Sequence, residues 1–354
     1  VKSSSYLKIL DALGSECVGA VVLRREDVND PSVPYGYEPL SREALGAAFG
    51  DGAEGIAQLQ ETAKLSLAGA QSKMGLYVEN GGACCRYALP RGSAPSTHIV
   101  KASSRRFDQL SENEHFCLRV AGHAGLETPN SFIDVVEGQP LFVVERFDRV
   151  KLSGGDEGSG SNYCNVLRIH QEDFCQVLGL LPERKYEAGS ARYASRVAAE
   201  VEARSADPVK DLSAFAKLLI FNAVIGNCDG HLKNITAIRG VDWRTFKLSP
   251  VYDVASTVVY EGLDRHMALR VGSTNKIDRV TRDDFALLAG ELFLSKKGMM
   301  RLVDEVCEGV LGSMPGVIVD VENSLNRTFS KLHEIERFAR GQIDRLGTSR
   351  QKAS

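Results

Sequence analysis

The pattern of hydrophobic and polar positions changes along the chain. Short apolar runs typical of strands occur in the first part, at 19–23, on both sides of 68–73, at 96–101 and at 139–147. Longer runs with a helical character follow in the second part, at 212–225, 285–294, 295–310 and 317–346. A Gly/Ser-rich segment at 153–162 predicts a loop near the change. The pattern therefore predicts a β-rich domain over 1–148 and a mainly helical domain over 149–354.

Capping residues mark several predicted helix starts. Besides a short helix at 6–13, helices are predicted to begin at three candidate N-cap residues, Ser41, Ser111 and Thr281. The last two are followed three residues later by an acidic residue, as in a capping box. The segment 27–40 contains several Pro and polar residues and predicts a loop.

One polar stretch, 227–234, lies directly after the apolar run at 212–225. Gly226 stands where a helix C-cap residue is expected, so the polar stretch begins where a core helix ends. After it, 235–238 and 245–248 predict a short hairpin that leads to Asp253. Asp-Gly and Lys-Asn pairs are also common in plain surface turns. The position between buried elements favours a functional site over a loop tip.

The spacing within this stretch suits phosphoryl transfer. Asp229 is followed five positions later by Asn234, and Asp253 follows beyond the predicted hairpin. Protein kinases use the same order and the same Asp-to-Asn spacing: the first Asp orients the acceptor hydroxyl, while the Asn and the later Asp hold Mg²⁺. The flanking residues differ from the ordinary kinase signature, because Cys228 precedes the first Asp and Tyr252 precedes the last one.

Composition narrows the classes of protein that need consideration. The chain has 354 residues, of which 43% are hydrophobic and 25% charged, as in ordinary globular proteins with two domains. A net charge of -3 gives no basic field for nucleic acid. No run has the length of a membrane span, and the first 20 residues lack a signal-peptide pattern. The eight cysteines include no Cys-x-x-Cys, which favours reduced thiols, a cytoplasmic location and no zinc site.

Two further features are candidates for nucleotide binding. Small residues at 68–73, between two strand-like runs, predict a tight hairpin whose amides could face a phosphate, although a plain hairpin has the same pattern. Lys101 ends a predicted strand and precedes a predicted helix, the order in which kinases place a phosphate-binding lysine and its glutamate partner. Glu112 and Glu114 are both candidates for that partner.

Taken together, these blocks resemble the HipA family of bacterial Ser/Thr kinase toxins. The resemblance spans roughly residues 17 to 260, and its motifs are SLAGAQSK at 66–73, GSAPSTHIVK at 92–101, VERFDR at 144–149, DGHLKN at 229–234 and PVYD at 250–253. Supporting matches are SENE at 111–114 and RIHQEDFCQ at 168–176. The resemblance implies a two-lobed protein-kinase-like α/β fold, with a β-rich N-lobe and a mainly helical C-lobe.

The resemblance also implies roles for individual residues. Asp229 would be the catalytic carboxylate, and Asn234 and Asp253 would bind Mg²⁺. Ser66 would be the loop serine that is autophosphorylated, which would switch the kinase off because a phosphate there disturbs the nucleotide loop. The residues that would contact ATP are Ala68, Gly69, Ala70, Gln71, Lys73, Lys101, Glu145, Phe147, His231, Lys233, Asn234 and Asp253, with Glu145 and Phe147 meeting adenine largely through their backbone.

The family further implies partners. These are an aminoacyl-tRNA synthetase substrate, typically the glutamyl enzyme, and a helix-turn-helix antitoxin of the HipB type through which operator DNA would be contacted. The chain has almost none of the small β-rich subdomain that precedes the stretch resembling 10–23 in full-length relatives, so this subdomain is expected to be a truncated part or a separate protein. Two other functions stay open: a small-molecule phosphotransferase, permitted by the altered flanks, and a nucleotide-binding regulatory module without turnover.

Overall fold

The structure is a computed structural model that describes residues 17–22, 36–50, 55, 72–79, 85–152 and 165–347. The chain forms two compact units, one of 1–111 with 130–171 and one of 112–129 with 172–354. The single domain boundary predicted between 148 and 149 stays a prediction. The predicted helix at 6–13, the loop at 153–162 and the first half of the hairpin around 68–73 lie outside the described residues.

The first unit contains a six-stranded antiparallel sheet with the order β1-β3-β2-β4-β6-β5. Its strands are β1 Gly36–Leu40, β2 Lys73–Glu79, β3 Arg86–Arg91, β4 His98–Ala102, β5 Ser131–Val136 and β6 Gln139–Glu145. A two-stranded hairpin follows, β7 Arg149–Lys151 with β8 Val166–Arg168. The predicted strands at 96–101 and 139–147 are confirmed, with their ends moved by about two residues.

Helix α1, Arg42–Gly50, packs against this sheet through Leu45 and Phe49. Ser41 accepts a hydrogen bond from the Ala44 amide at 3.2 Å, so its predicted role at the helix start is confirmed. The guanidinium of Arg42 makes a bidentate pair with Asp134 on β5, at 2.7 and 2.8 Å. The helix is thereby fixed to the sheet by apolar burial and by a charge-assisted contact.

The second unit is mainly helical. Its helices are α2 Leu110–His123, α3 Phe174–Val177, α4 Tyr193–Arg204, α5 Pro208–Ile225, α6 Arg282–Glu291, α7 Lys296–Leu325 and α8 Ser330–Leu346. Its strands are β9 Gln171–Asp173, β10 Thr236–Arg239, β11 Phe246–Leu248, β12 His266–Val271 and β13 Thr274–Lys276. β10 and β11 form the predicted antiparallel hairpin, and β9 adds a third strand to it.

Helix α5 is the central element of this unit, because twelve of its eighteen residues are buried. It packs against α4, α7 and α8. Asp207 caps its start by accepting from the Lys210 amide at 3.1 Å, and Gly226 ends it in the left-handed conformation with φ of 80°. The predicted apolar helix and its C-cap glycine are therefore confirmed.

Several predicted boundaries are wrong. The loop predicted at 27–40 includes strand β1, and the described part of the strand predicted at 19–23 begins with a turn at 19–20. Ser111 lies inside α2, whose first residue is Leu110, so it is not the N-cap; its amide instead donates to Ser103 Oγ at 2.9 Å.

Helix α7 also continues beyond its predicted end near 310, passing through Pro315. The break between the last two helices lies at Asn326, which adopts the left-handed conformation. Among the helices of the described ranges, α7 included, none combines the length and the apolar composition that crossing a membrane would need.

Candidate phosphotransfer site

The polar stretch 227–234 begins directly after α5. Gly226 ends this helix in a left-handed conformation, and its surroundings leave no room for a side chain. A Cβ atom at this position would lie 2.4 Å from Val258 Cγ2 and 2.9 Å from Phe338 Cε1. The Gly226 carbonyl accepts from the Thr257 amide at 2.9 Å, and the Cys228 amide donates to Thr257 Oγ1 at 2.9 Å. These contacts fix the direction in which the chain leaves the helix.

Two buried asparagines hold the start of the polar stretch 227–234 through hydrogen bonds. The Asn227 side-chain amide donates to Asn222 Oδ1 at 3.0 Å, and its own oxygen accepts from the Asp229 amide at 3.0 Å. A Cβ on Gly230 would come within 2.5 Å of Asn222 Nδ2, so glycine allows this close approach. The backbone around Asp229 is therefore positioned by side chains of the core helix end.

Asp229 presents its carboxylate to solvent, with 54% of the side chain exposed. Its backbone carbonyl is held from two directions, by the His231 amide at 2.7 Å and by Asn234 Nδ2 at 3.0 Å. The backbone of Asp229 is fixed while its carboxylate remains accessible. Such a combination suits a group that must orient a substrate hydroxyl.

Asn234 and Asp253 line the same small recess, together with Asn222, Asn227 and Gly230. Asp253 has a left-handed backbone with φ of 55°, a conformation that Asp and Asn tolerate better than other residues. The preceding Tyr252 anchors this turn, because its hydroxyl donates to the Lys233 carbonyl at 2.8 Å and contacts Thr236 Oγ1 at 2.7 Å. The structure thus places side by side two residues predicted to bind Mg²⁺.

The donor set of this recess fits Mg²⁺. An amide oxygen and a carboxylate are hard ligands, and Mg²⁺ is commonly held by one or two such groups with water and phosphate oxygens completing its shell. Within the described parts of the chain, no group of three or more His, Cys, Asp or Glu could hold a metal ion. None of the six cysteines in these parts forms a disulfide, and Cys228 and His231 belong to no such group there.

His231 is buried beside Asp229, and its Nε2 lies 2.8 Å from Lys185 Nζ. Burial lowers the pKa of His231; the Asp229 carboxylate opposes this, Lys185 adds to it, and the net shift is downward. The ring is therefore neutral near pH 7, with Nε2 accepting from Lys185 and the proton on Nδ1. In the part of the chain that the structure describes, this buried Nδ1 has no hydrogen-bond partner.

Lys233 has a local partner. Its Nζ lies 2.8 Å from Asp173 Oδ2, and Asp173 is also the N-cap of α3, so the pair joins the polar stretch to that helix. The predicted contact of Lys233 with nucleotide stays a prediction, and the structure shows the lysine in a structural ion pair.

In the first unit, Lys101 is buried in β4, with its Nζ 5.7 Å from the Phe142 ring centroid. Its direct neighbour across the β2–β4 pair is Lys73. The structure therefore brings together two of the predicted phosphate-binding lysines at one end of these strands. Glu112 and Glu114 are both buried in α2, and the choice between them as the partner of Lys101 stays open.

The block 144–149 mainly forms a buried ion cluster. The Asp148 carboxylate accepts a hydrogen bond from Arg146 Nε at 2.9 Å and forms an ion pair with Arg149 Nη1 at 2.8 Å. All three side chains are almost fully buried. Burial raises the pKa of the Asp148 carboxyl, but the two arginines outweigh it and lower that pKa to about 2. The predicted adenine-contacting residues flank this cluster; the Glu145 amide already donates to the Asn130 carbonyl at 2.9 Å.

The remaining predicted site residues lie outside the described residues. They are Ser66, Ala68, Gly69, Ala70 and Gln71.

Comparison with known proteins decides the family. Residues 65–314 match the HipA-like C-terminal domain. Y4mE of Sinorhizobium fredii (strain NBRC 101917 / NGR234), a kinase by its name, is 34% identical over 320 residues, covering 88% of this chain and 72% of the relative. The chain belongs to the HipA-like family. The resemblance read from the sequence motifs is therefore confirmed.

Another relative of the HipA-like family is the serine/threonine-protein kinase toxin HipA of Shewanella oneidensis, 30% identical over 220 residues, which are 59% of this chain and 47% of that toxin. A chain in the solved complex of Shewanella oneidensis MR-1 HipA, HipB and operator DNA superposes with a TM-score of 0.77 at 22% identity, covering 98% of this chain and 79% of that one. This likeness confirms the predicted fold class, an α/β protein with the kinase-like fold of the HipA family.

Within this HipA-like site, sequence reasoning missed the residues that come from elsewhere in the chain. Lys185 and Tyr186 reach His231 and Asp229 from the segment before α4, and Thr257 supports the loop from beyond Asp253. No local pattern marks these three residues. Asn222 could have been found, since an amide near the end of an otherwise apolar helix needs a buried polar partner.

Proposed function

We propose that this HipA-like chain is an ATP- and Mg²⁺-dependent serine/threonine protein kinase of a toxin–antitoxin system. The observation that carries the proposal is the placement of Asn234 and Asp253 on one recess, with Asn234 also fixing the backbone of an exposed Asp229. This arrangement has the parts needed for orienting a hydroxyl and for binding a phosphate-bridging cation. It supports phosphotransfer more than passive nucleotide binding, which has no need of Asp229.

Each residue of the site has a specific part in the proposed reaction. Asp229 would take the proton of the acceptor hydroxyl. The hydroxyl oxygen would then bond to the γ-phosphorus of ATP, while the bond between that phosphorus and the oxygen that leaves with ADP breaks. Asn234 and Asp253 would hold Mg²⁺, which neutralises charge on the phosphates. His231 would lie close to the nucleotide, and Lys101 and Lys73 are proposed to contact its phosphates.

The proposed substrate is an aminoacyl-tRNA synthetase, most simply the glutamyl enzyme, with Ser66 as the autophosphorylation site. A helix-turn-helix antitoxin of the HipB type is the proposed partner, since a solved structural neighbour is a HipA, HipB and operator DNA complex. Contact with operator DNA would pass through that antitoxin, because the net charge of this chain is only -3.

The test is intact-mass measurement with site mapping, before and after incubation with Mg²⁺ and ATP and in the presence of glutamyl-tRNA synthetase. Wild type should add phosphate to Ser66 or to the synthetase. Asp229→Asn should slow transfer by about 10²–10⁴-fold, the usual contribution of a positioned acid–base group. Asp320→Asn, an exposed aspartate on α7, is the matched control and should behave as wild type. Equal transfer by the Asp229 variant and by wild type would refute the assignment.

A further inference from the structure

The carboxylate of Asp229 accepts a hydrogen bond from the phenol hydroxyl of Tyr186. Tyr186 donates a hydrogen bond to Asp229 Oδ1 at 2.5 Å, although the two residues are 43 positions apart in the chain. The Tyr186 side chain is 45% exposed, so core packing does not account for its position.

The backbone on both sides of Tyr186 is anchored. The Lys185 carbonyl accepts from the Leu232 amide at 3.2 Å, and the Glu187 amide donates to the Ala268 carbonyl at 2.8 Å. The buried Glu187 carboxylate adds a contact with the Arg270 amide at 3.0 Å. Rotation of the Tyr186 side chain can therefore move the phenol on or off Asp229 without breaking these backbone contacts.

The ring is also in contact with the site on two sides. The His231 ring meets it edge-on, with centroids 5.3 Å apart, and Lys185 Nζ lies 5.0 Å from its centroid. Asp229 Oδ1, which the phenol uses, is the oxygen 4.0 Å from His231 Nε2. The phenol therefore bonds the carboxylate oxygen that lies beside His231.

An acceptor serine or threonine must donate its hydroxyl to Asp229 before transfer. Tyr186 makes the same kind of bond with the same carboxylate. We propose that Tyr186 is a built-in competitor for the acceptor site, which a substrate hydroxyl must displace from Asp229. The inference rests on the proposed catalytic role of Asp229 and adds a residue that sets how readily an acceptor enters.

Tyr186→Phe removes only the hydroxyl and tests this competition. Solvent at the half-exposed ring weakens the hydrogen bond that this variant removes, so we expect effects of about threefold to tenfold. ADP release from Mg²⁺-ATP without protein acceptor should rise by that factor, because water gains access to Asp229. With glutamyl-tRNA synthetase as acceptor, KM should fall by a similar factor while kcat stays within about twofold.

The matched control is Tyr193→Phe. Tyr193 donates to the Arg184 carbonyl at 2.8 Å, so this variant removes a phenol hydroxyl from the same region without touching Asp229. Its ADP release should equal that of wild type. The double variant Tyr186→Phe with Asp229→Asn should equal Asp229→Asn alone, because the phenol acts only through that carboxylate.

The outcomes separate this inference from the proposed function. If Asp229→Asn and wild type release ADP equally, the kinase assignment itself fails. If Asp229→Asn is inactive and Tyr186→Phe is unchanged or slower, the kinase assignment stands and the competition is refuted; a lower kcat would show instead that the phenol orients Asp229. Phosphate mapped to Tyr186 would also overturn the inference, since the residue would then be a substrate.

Discussion

Gly226→Ala is the substitution that most directly tests how the core helix positions the site. Gly226 ends α5 with φ of 80° and ψ of 35°, immediately before the polar stretch. An added Cβ would lie 2.4 Å from Val258 Cγ2 and 2.9 Å from Phe338 Cε1, distances that no real Cβ contact tolerates. Alanine is therefore opposed both by its backbone conformation and by its neighbours.

The two contributions can be estimated separately. A left-handed backbone costs a non-glycine residue roughly 1–2 kcal/mol. Forcing an additional methyl into a packed site costs roughly 1–3 kcal/mol, because neighbouring side chains and backbone must shift. The sum is roughly 2–5 kcal/mol, a large part of the roughly 5–15 kcal/mol by which a domain is usually stable.

Gly347→Ala isolates the conformational part. Gly347 ends α8 in the same left-handed region, with φ of 59°, but an added Cβ there would have no atom within 4 Å. Denaturant unfolding followed by circular dichroism should show roughly 1–2 kcal/mol lost for Gly347→Ala and clearly more for Gly226→Ala. ADP release should fall only in the latter, since the Gly226 carbonyl accepts from the Thr257 amide and Thr257 Oγ1 in turn accepts from the Cys228 amide. Equal losses in stability would refute the argument that Val258 and Phe338 require glycine.

Two further variants test charges. The pKa of Asp148 is about 2 in the folded chain, against an ordinary value of 3.8. The ionised carboxylate therefore stabilises the fold by about 2 kcal/mol above about pH 4, and this contribution is lost as the pH falls through 2. Asp148→Asn should lose roughly 3–5 kcal/mol at pH 7, because two buried arginines lose their counterion, and its urea stability should vary less than wild type between pH 4 and 2. Asp253→Asn keeps a residue that tolerates φ of 55° but removes a charge. The Mg²⁺ concentration for half-maximal ADP release should rise about tenfold, whereas Asp242→Asn on the exposed hairpin should leave it unchanged.

Elements with local signals could be predicted from the sequence. Helix α5 combines a long apolar run with a C-cap glycine, and α6 starts with a capping box in which Thr281 and Asp284 exchange contacts as their spacing predicts. The two capping signals involve only residues near the helix ends. They therefore depend little on contacts with distant parts of the chain.

Two of the wrong boundaries lie at segments that contain a proline. Pro39 was interpreted as part of a loop, but β1 is an edge strand, where a residue without an N–H group does not interrupt the sheet. A helix end was predicted near 310, yet α7 continues through Pro315 because one face of the helix remains buried, including Met314 and Val317. The break instead falls at Asn326, a residue type that adopts φ of 47° readily.

The same distinction between local and distant contacts applies to the candidate site. The backbone of Asp229 is hydrogen-bonded by the side chains of Asn227 and Asn234, which are two and five positions away. The spacing alone was therefore enough to bring these groups together. The bond from Tyr186 spans 43 positions and that from Cys228 to Thr257 spans 29, and no periodicity or turn signal specifies either. A sequence motif therefore identifies which carboxylate can do the chemistry, while the groups that control access to it become visible only when the chain is folded. For that reason Tyr186→Phe, rather than another change within 229–234, is the variant that distinguishes regulation of this site from its chemistry.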